Sequence, residues 1–388
     1  MGAGPGSVLI VGVSTRALAE SASRAGYPCV SVDAFGDLDQ KSRVQNVGFS
    51  RDLGRPYSAA AAVAIGRRFP AASAAYVGNL ENHPSAVGRL ARGRRLLGNT
   101  PATLVRARDP VAVADVVRRA GGRVPRTLMP GEARQASGGV RWLRKPRRGG
   151  GGSGVKEWRR GAPLGPSEWV QERIEGELAS VALVADGRRA VLLGMARGLA
   201  GDPAFGARGY RYCGSVYPFP AGRALLDRMN AIAGAVTEAF GLVGLNGIDF
   251  VLRDGEPYVL EINPRYSASM ELIERGGRIS VFDTHVAACA GALPSAGTDP
   301  IPDVLGKAIL YARRDVIVGD SGRWLLRDDV RDVPFPGERI RRGHPVCTVF
   351  ARGADSVTCY ARLVAAASAL EQELEEEAGG AADDDRSG

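Results

Sequence analysis

The chain has 388 residues, 45% of them hydrophobic, and a formal charge of +9 at pH 7. Such a length asks for two or three domains rather than one small core, and the apolar fraction is that of a globular protein. No segment is long enough to span a membrane, no basic-aromatic motif points to nucleic acid, and the five scattered cysteines argue for reduced thiols in the cytoplasm rather than a disulfide framework. The charge is uneven. Residues 371–388 hold eight acids and one Arg, which leaves residues 1–370 at +16, a body suited to anionic ligands such as nucleotides, phosphates or carboxylates.

Val8–Val13 reads as a buried strand rather than a signal peptide. Ser14 can cap a helix over Thr15–Arg24, and Cys29–Asp33 is the next strand. This strand–helix–strand–Asp order predicts a nucleotide-fold-like α/β unit, but without Gly-x-Gly-x-x-Gly a dinucleotide site is not supported. A helix over 58–69, a strand over 74–77 and the run Gly78-Asn79-Leu80-Glu81-Asn82 follow, then a helix over 109–120.

The texture changes after about residue 123. Trp142–Pro146 is a short strand, followed by Arg147-Arg-Gly-Gly-Gly-Gly-Ser-Gly154 and a second short strand at 155–158. A flexible linker would separate domains, whereas this glycine run sits inside a hairpin. There it can bring backbone N–H groups close to phosphate, with Lys145 and Arg147 or Arg148 adding charge. It is not a P-loop, since no Gly-Lys-Ser/Thr ends it. Glu168–Ile174 is a further strand, then Glu175-Gly-Glu177, a hairpin turning at Asp186-Gly187, and a helix over 225–240.

The most informative stretch runs from Gly247 to Arg265. Strict alternation puts Ile248, Phe250, Leu252, Tyr258, Leu260 and Ile262 on one face and Asp249, Val251, Val259, Glu261 and Asn263 on the other. Asp249 and Glu261 oppose each other only across a loop with an odd number of residues, for which Asp254-Gly255-Glu256 serves. Opposed carboxylates repel unless a cation lies between them, and with an Asn carbonyl nearby the oxygens suit Mg²⁺ shared with phosphate. An ordinary hairpin with a polar face explains the acids singly but not the Asn-Pro-Arg that follows. Beyond it come a helix from Val281, β-rich sequence from about Pro300 with a long segment at 337–351, and a closing helix over 359–377.

This order of elements resembles the ATP-grasp superfamily over roughly residues 1–350. Glu-Ile-Asn-Pro-Arg-Tyr-Ser-Ala-Ser at 261–269 looks like its carbamoyl phosphate synthetase and biotin carboxylase branch. The resemblance implies an α/β (α+β overall) ATP-grasp fold: a Rossmann-like pre-ATP-grasp domain (1–100), a small subdomain with the Gly-rich loop (101–185), a catalytic subdomain (186–296), a β-rich C-terminal segment (297–370) and a disordered acidic tail (371–388). It implies ATP with two Mg²⁺ ions, replaceable by Mn²⁺, held by Asp249, Glu261 and Asn263. Lys145 and a loop with Gly150, Gly151, Gly152 and Ser153 would meet the phosphates. Glu172, with the backbone of Arg173 and Ile174, would hold adenine, and Glu177 the ribose. Arg265, with Lys145, would be catalytic, stabilising a phosphorylated intermediate.

Arg106, Arg108 and Asp109-Pro110 stand where the family often has a first phosphate-contacting Lys. Gly247 stands where some amino-acid ligases carry an Arg, leaving that work to Arg265. The implied activity is a carboxylate–amine ligase acting through an acyl phosphate, similar to the tyramine–glutamate ligases of methanofuran-type one-carbon cofactor synthesis. It would be a cytoplasmic homodimer with small-molecule carboxylate and amine substrates. The competing readings are a biotin- or purine-type carboxylase activating bicarbonate and a non-catalytic ATP-binding regulator. Ser14, Glu81, Ser267 and Ser269 are candidate substrate contacts, and each is equally well a cap or loop hydrogen-bonder.

Overall fold

A computed structural model describes residues 6–277, 279–295 and 302–384. The expected 296/297 boundary and residues 385–388 lie outside the described residues.

The first five strands form a parallel sheet in the order Gln45–Gly48, Cys29–Asp33, Val8–Val11, Ser73–Tyr76, Arg95–Leu97. Val8–Val11 is wholly buried because it lies at the centre of this sheet with apolar clusters on both faces. The helix Arg16–Arg24 follows it, with Thr15 at the N-cap position but its hydroxyl given to Asp33 rather than to the helix amides; Ser14 is exposed and is not the cap.

The small sheet has the order Thr127–Leu128, Glu168–Glu172, Trp142–Pro146, Lys156–Trp158. Its core is slight: Leu128, Ala136, Trp142, Trp158 and Val170. The large sheet is antiparallel and eight-stranded, in the order Glu256–Asn263, Val243–Arg253, Glu177–Asp186, Ala190–Ala200, Tyr212–Tyr217, Val304–Tyr311, Pro345–Gly353, Val330–Arg331. Strands from before and after the key hairpin thus share one sheet. The helices Pro110–Arg119 and Arg223–Phe240 cover one part of it, through Val117, Ile232 and Val236 against Ile248, Phe250 and Ile262.

The hairpin corrects one expectation. Arg253 pairs with Glu256, so the turn is the two residues Asp254-Gly255, both with positive φ (53° and 76°), as a tight hairpin turn requires. The parity is supplied instead by a bulge beside Asp249, which skips Leu260. Asp249 still faces Glu261, but from Val259 outward the alternation is reversed. Val259 is buried in the core, while Tyr258 pairs with Val251 on the opposite face.

The last helix, Ser356–Asp384, covers the expected closing helix over 359–377 and continues to Asp384, into the part of the acidic tail expected to be disordered. Cys359, Leu363, Ala367, Leu370 and Leu374 form its buried stripe against the C-terminal strands. Glu371 and Glu373 pair with Arg313, Arg323 and Arg327, so part of the acidic run is neutralised locally.

Candidate active site

Asp249 and Glu261 are direct partners across the Val243–Arg253 and Glu256–Asn263 strands. Asn263 Nδ2 donates to Asp249 Oδ2 at 2.8 Å, and Asn263 Oδ1 accepts from Arg265 Nη2 at 3.1 Å. Arg265 Nε donates to Glu81 Oε1 at 2.8 Å, where Glu81 is 1% exposed. The parallel sheet thereby reaches into the hairpin's site. It also grips the backbone there: Tyr76 Oη and Asn99 Nδ2 both donate to the Pro264 carbonyl at 3.0 Å.

Two further cations converge on the carboxylates. Arg108 Nη1 donates to Glu261 Oε2 at 3.1 Å, and its Nη2 to Asn82 Oδ1 at 3.2 Å and to the Gly149 carbonyl at 3.1 Å. Lys145 extends from the small sheet; its Nζ donates to Gln171 Oε1 at 3.1 Å. Burial lowers the Lys145 ammonium pKa, opposed by the charges of Glu261 and Asp249. The electrostatics split the two acids. Burial and then Glu261 push the Asp249 carboxyl up to about 7, while burial of Glu261 is outweighed by Arg108 and Lys145, so its pKa falls. For Arg265 the cost of burial is outweighed by Glu81, which raises its pKa.

Among the described residues, no three of His, Cys, Asp and Glu gather as a self-sufficient metal site. A hard cation that keeps part of its coordination on phosphate needs fewer protein ligands, and Asp249 is the group such a cation would hold ionised. The residues fit Mg²⁺ in that shared mode, although the Asn263 oxygen is turned to Arg265 rather than to Asp249.

The remaining expected residues are distributed as follows. Gly150–Ser153 form the loop above Lys145. Gly151 O accepts from Tyr212 N at 2.9 Å, and a Cβ on Gly152 would collide with the Tyr210 carbonyl. Glu172 Oε2 accepts from Arg126 N at 3.2 Å, and the Glu172 and Arg173 amides donate to Arg126 O and Arg141 O at 2.8 Å. The Arg173 N–H is therefore committed within the protein. Ile174 is buried, and Glu177 is ion-paired with Arg197. Ser267 and Ser269 are buried, their hydroxyls 3.5 Å apart, and Ser269 Oγ lies 3.4 Å from Ser180 Oγ, on the residue that pairs with Asp249. Of the two arginines before Asp109, Arg106 points away to the Ala239 carbonyl and Arg108 enters the site. Gln171 and Asn99 were not singled out by sequence, and Asn82 only as the last residue of the candidate substrate loop 78–82.

Residues 107–269 match the model of the ATP-grasp domain. Over that stretch the chain is similar to ATP-grasp domains. An uncharacterized protein of Methanocaldococcus jannaschii, MJ0776, is 31% identical over 141 residues, which are 36% of this chain and 34% of that protein, so the match spans about a third of the relative's length. Among solved structures, biotin carboxylase of Campylobacter jejuni is similar with a TM-score of 0.70 at 15% identity, covering 92% of this chain and 90% of that one. The biotin carboxylase domain dimer of Hydrogenobacter thermophilus 2-oxoglutarate carboxylase, with MgADP and bicarbonate, has a TM-score of 0.69 at 13% identity, covering 90% and 87%. At these identities the likeness establishes the ATP-grasp fold. Among the described residues no helix is long and apolar enough to cross a membrane.

Proposed function

We propose that this ATP-grasp enzyme is a carboxylate–amine ligase. The observation that carries the reading is the Asp249–Glu261 pair, short of a cation at Asp249, with Lys145, Arg108 and Arg265 converging on it. A carboxylate oxygen of the substrate attacks the γ-phosphorus of ATP and ADP leaves. An amine then attacks the acyl carbon, and phosphate departs. Such chemistry needs positioning and charge neutralisation more than a protein nucleophile.

Asp249, Glu261 and the Asn263 side chain are the groups to hold Mg²⁺, two ions in the full complex, with Mn²⁺ as a substitute. Bound there, the metal supplies charge neutralisation at the β- and γ-phosphate oxygens. Lys145 and Arg108 hold phosphate from the small-sheet side, and Gly150, Gly151, Gly152 and Ser153 offer backbone N–H groups. The Arg173 carbonyl and the Ile174 backbone remain to meet the adenine edge beside Glu172. Glu177 can accept a ribose hydroxyl while keeping Arg197. Arg265, held by Glu81 and Asn263, stabilises the acyl phosphate, with Ser267, Ser269 and the exposed Ser14 at the substrate side. The finer placement, in methanofuran-type one-carbon cofactor synthesis, in the cytoplasm and as a homodimer, rests on family resemblance.

The test is ADP release from Mg²⁺-ATP with a panel of carboxylates and amines. Turnover that requires one of each is the expected result, and no release with any pair despite bound ATP overturns the reading. A carboxylase is the second reading, favoured by the likeness to the bicarbonate-bound carboxylase domain; bicarbonate-dependent release without amine would select it.

A further inference from the structure

Among the described residues, three buried polar atoms around Glu81 have no hydrogen-bond partner: Oε2 of Glu81 itself, which is ion-paired with Arg265, the hydroxyl of Tyr57, which feels the Glu81 charge, and Oδ1 of Asn79, two residues before Glu81. Glu81 is 1% exposed and spends only Oε1 on Arg265. Tyr57 stands close enough to both Asp33 and Glu81 for their charges, after burial, to raise its pKa. Asp33 itself is satisfied, Oδ1 by the amides of Phe35 and Gly36 and Oδ2 by Thr15. All of these groups stand beyond the carboxyl ends of the parallel strands Cys29–Asp33, Gln45–Gly48 and Ser73–Tyr76, where open α/β sheets bind ligands.

Buried polar groups left without partners call for an explanation. The chemistry of this set is specific. A carboxylate oxygen and an amide oxygen accept, and the phenol can do either. The neighbouring guanidinium is already held by Glu81, Asn263 and the Tyr266 carbonyl. An anion placed here would meet Glu81 directly. A primary ammonium, with three N–H donors and a positive charge, matches these acceptors in number and kind.

We infer that Glu81, with Tyr57 and Asn79, is the subsite for the amine substrate, a primary amine entering as its ammonium ion. The inference rests on the ligase reading above. It divides the work at Arg265: the acyl phosphate lies on one side of the guanidinium and the amine on the side of Glu81 Oε2. The ammonium gives one proton to Glu81 Oε2, and its freed lone pair attacks the acyl carbon. The C–N bond forms, the C–O bond to phosphate breaks, and phosphate leaves with the electron pair. Loss of a second N–H proton yields the neutral amide. Overall, acyl phosphate and ammonium become amide, hydrogen phosphate and one proton.

The experiment has two arms on the full chain. In the first, wild-type protein with Mg²⁺-ATP and carboxylates (glutamate, aspartate, acetate, bicarbonate) is trapped with hydroxylamine; absence of any acyl hydroxamate defeats the ligase reading, whatever Glu81 does. In the second, ammonium, methylamine, ethanolamine and tyramine are titrated by calorimetry into protein saturated with a non-hydrolysable ATP analogue, with tetramethylammonium as the control lacking N–H. At least one primary amine binds and tetramethylammonium does not. Glu81→Gln keeps an acceptor for Arg265 but turns the free oxygen into a donor; it weakens amine binding about tenfold to a hundredfold. Tyr57→Phe weakens it severalfold. Equal amine affinity in wild type and Glu81→Gln, or no binding by any amine in wild type, overturns the inference and leaves a pocket for ordered water alone. A folded Glu81→Asp variant that regains part of the affinity separates charge from loss of structure.

Discussion

Two carboxylate clusters differ in how their acids are paired. In the first, Asp249 and Glu261 face each other half-buried, and the Asp249 carboxyl is pushed up to about 7 by burial and by Glu261. In the second, Arg16, 2% exposed, binds Glu271 at 2.8 and 3.2 Å and Asp332 at 2.6 Å, while Lys307 binds Glu271 at 2.9 Å. Burial would raise the Glu271 carboxyl, but Arg16 and Lys307 hold it well below the usual carboxylate range. Asp39 accepts the amides of Asp332 and Val333, and Thr348 donates to Asp332. This cluster clamps the parallel sheet to the segment after Arg265 and to the C-terminal strands, although burial still pushes its Asp39 carboxyl up to about 6 against the charge of Arg16. What separates the clusters is direct pairing: Glu271 touches both Arg16 and Lys307, whereas among the described residues Asp249 touches no cation, and it is Asp249 that asks for a ligand.

Breaking each cluster should therefore break a different property. Glu261→Gln is expected to cut turnover by about a thousandfold or more, because the metal–phosphate charge can no longer be balanced, with the melting temperature nearly unchanged; turnover within tenfold of wild type would remove Glu261 from the site. Arg16→Met leaves Glu271, Asp332 and Glu20 with too little positive charge. Breaking a buried ion pair costs about 3–5 kcal/mol, so its melting temperature should fall by several degrees, and a melt indistinguishable from wild type would show that the clamp contributes nothing. Lys145→Met is expected to fall between these extremes, losing about a hundredfold in kcat/KM for ATP, measured by ADP release. Arg108→Ala should cost about tenfold by the same assay and also loosen the glycine loop, since it releases the Gly149 carbonyl.

The difference between the clusters also decides what was legible in the sequence. The first is local: its acids and Asn263 lie on adjacent strands, so period-2 alternation and parity place Asp249 opposite Glu261. Even there the means differed. The chain uses a two-residue turn and a bulge at Leu260, which gives the same parity as the three-residue loop but moves Tyr258 and Val259 to opposite faces. Lys145 and the glycine loop were readable for the same local reason. The Arg16 cluster joins residues as far apart as 316 positions, and no periodicity links Arg16 with Asp332. The closing helix was legible to residue 377 from the apolar spacing of Leu363, Ala367, Leu370 and Leu374; its continuation to Asp384 was not, because no large apolar residue marks the stretch beyond.

The subtlest test concerns protons. Asp249 in the metal-free protein holds its proton to about pH 7, against an ordinary carboxylate value of 3.8. A group whose folded pKa is raised stabilises the fold below its unfolded pKa, and that contribution is lost as pH rises through the folded value. The melting temperature in EDTA should thus drift down between about pH 4 and pH 7 by this contribution, and Asp249→Asn should remove that part of the drift. Glu271, with its depressed pKa, gives the opposite sign, stability lost as the solution is acidified below the ordinary carboxylate range. Mg²⁺ with nucleotide has to displace the Asp249 proton, so near pH 6 to 7 binding should release up to one proton and tighten up to tenfold per pH unit, levelling off above about 7. Calorimetry in two buffers of different ionisation enthalpy reads the release directly. Equal heats in both buffers, or an affinity flat from pH 6 to 8, would mean that Asp249 is already ionised and that the two clusters do not differ in the way their charges suggest.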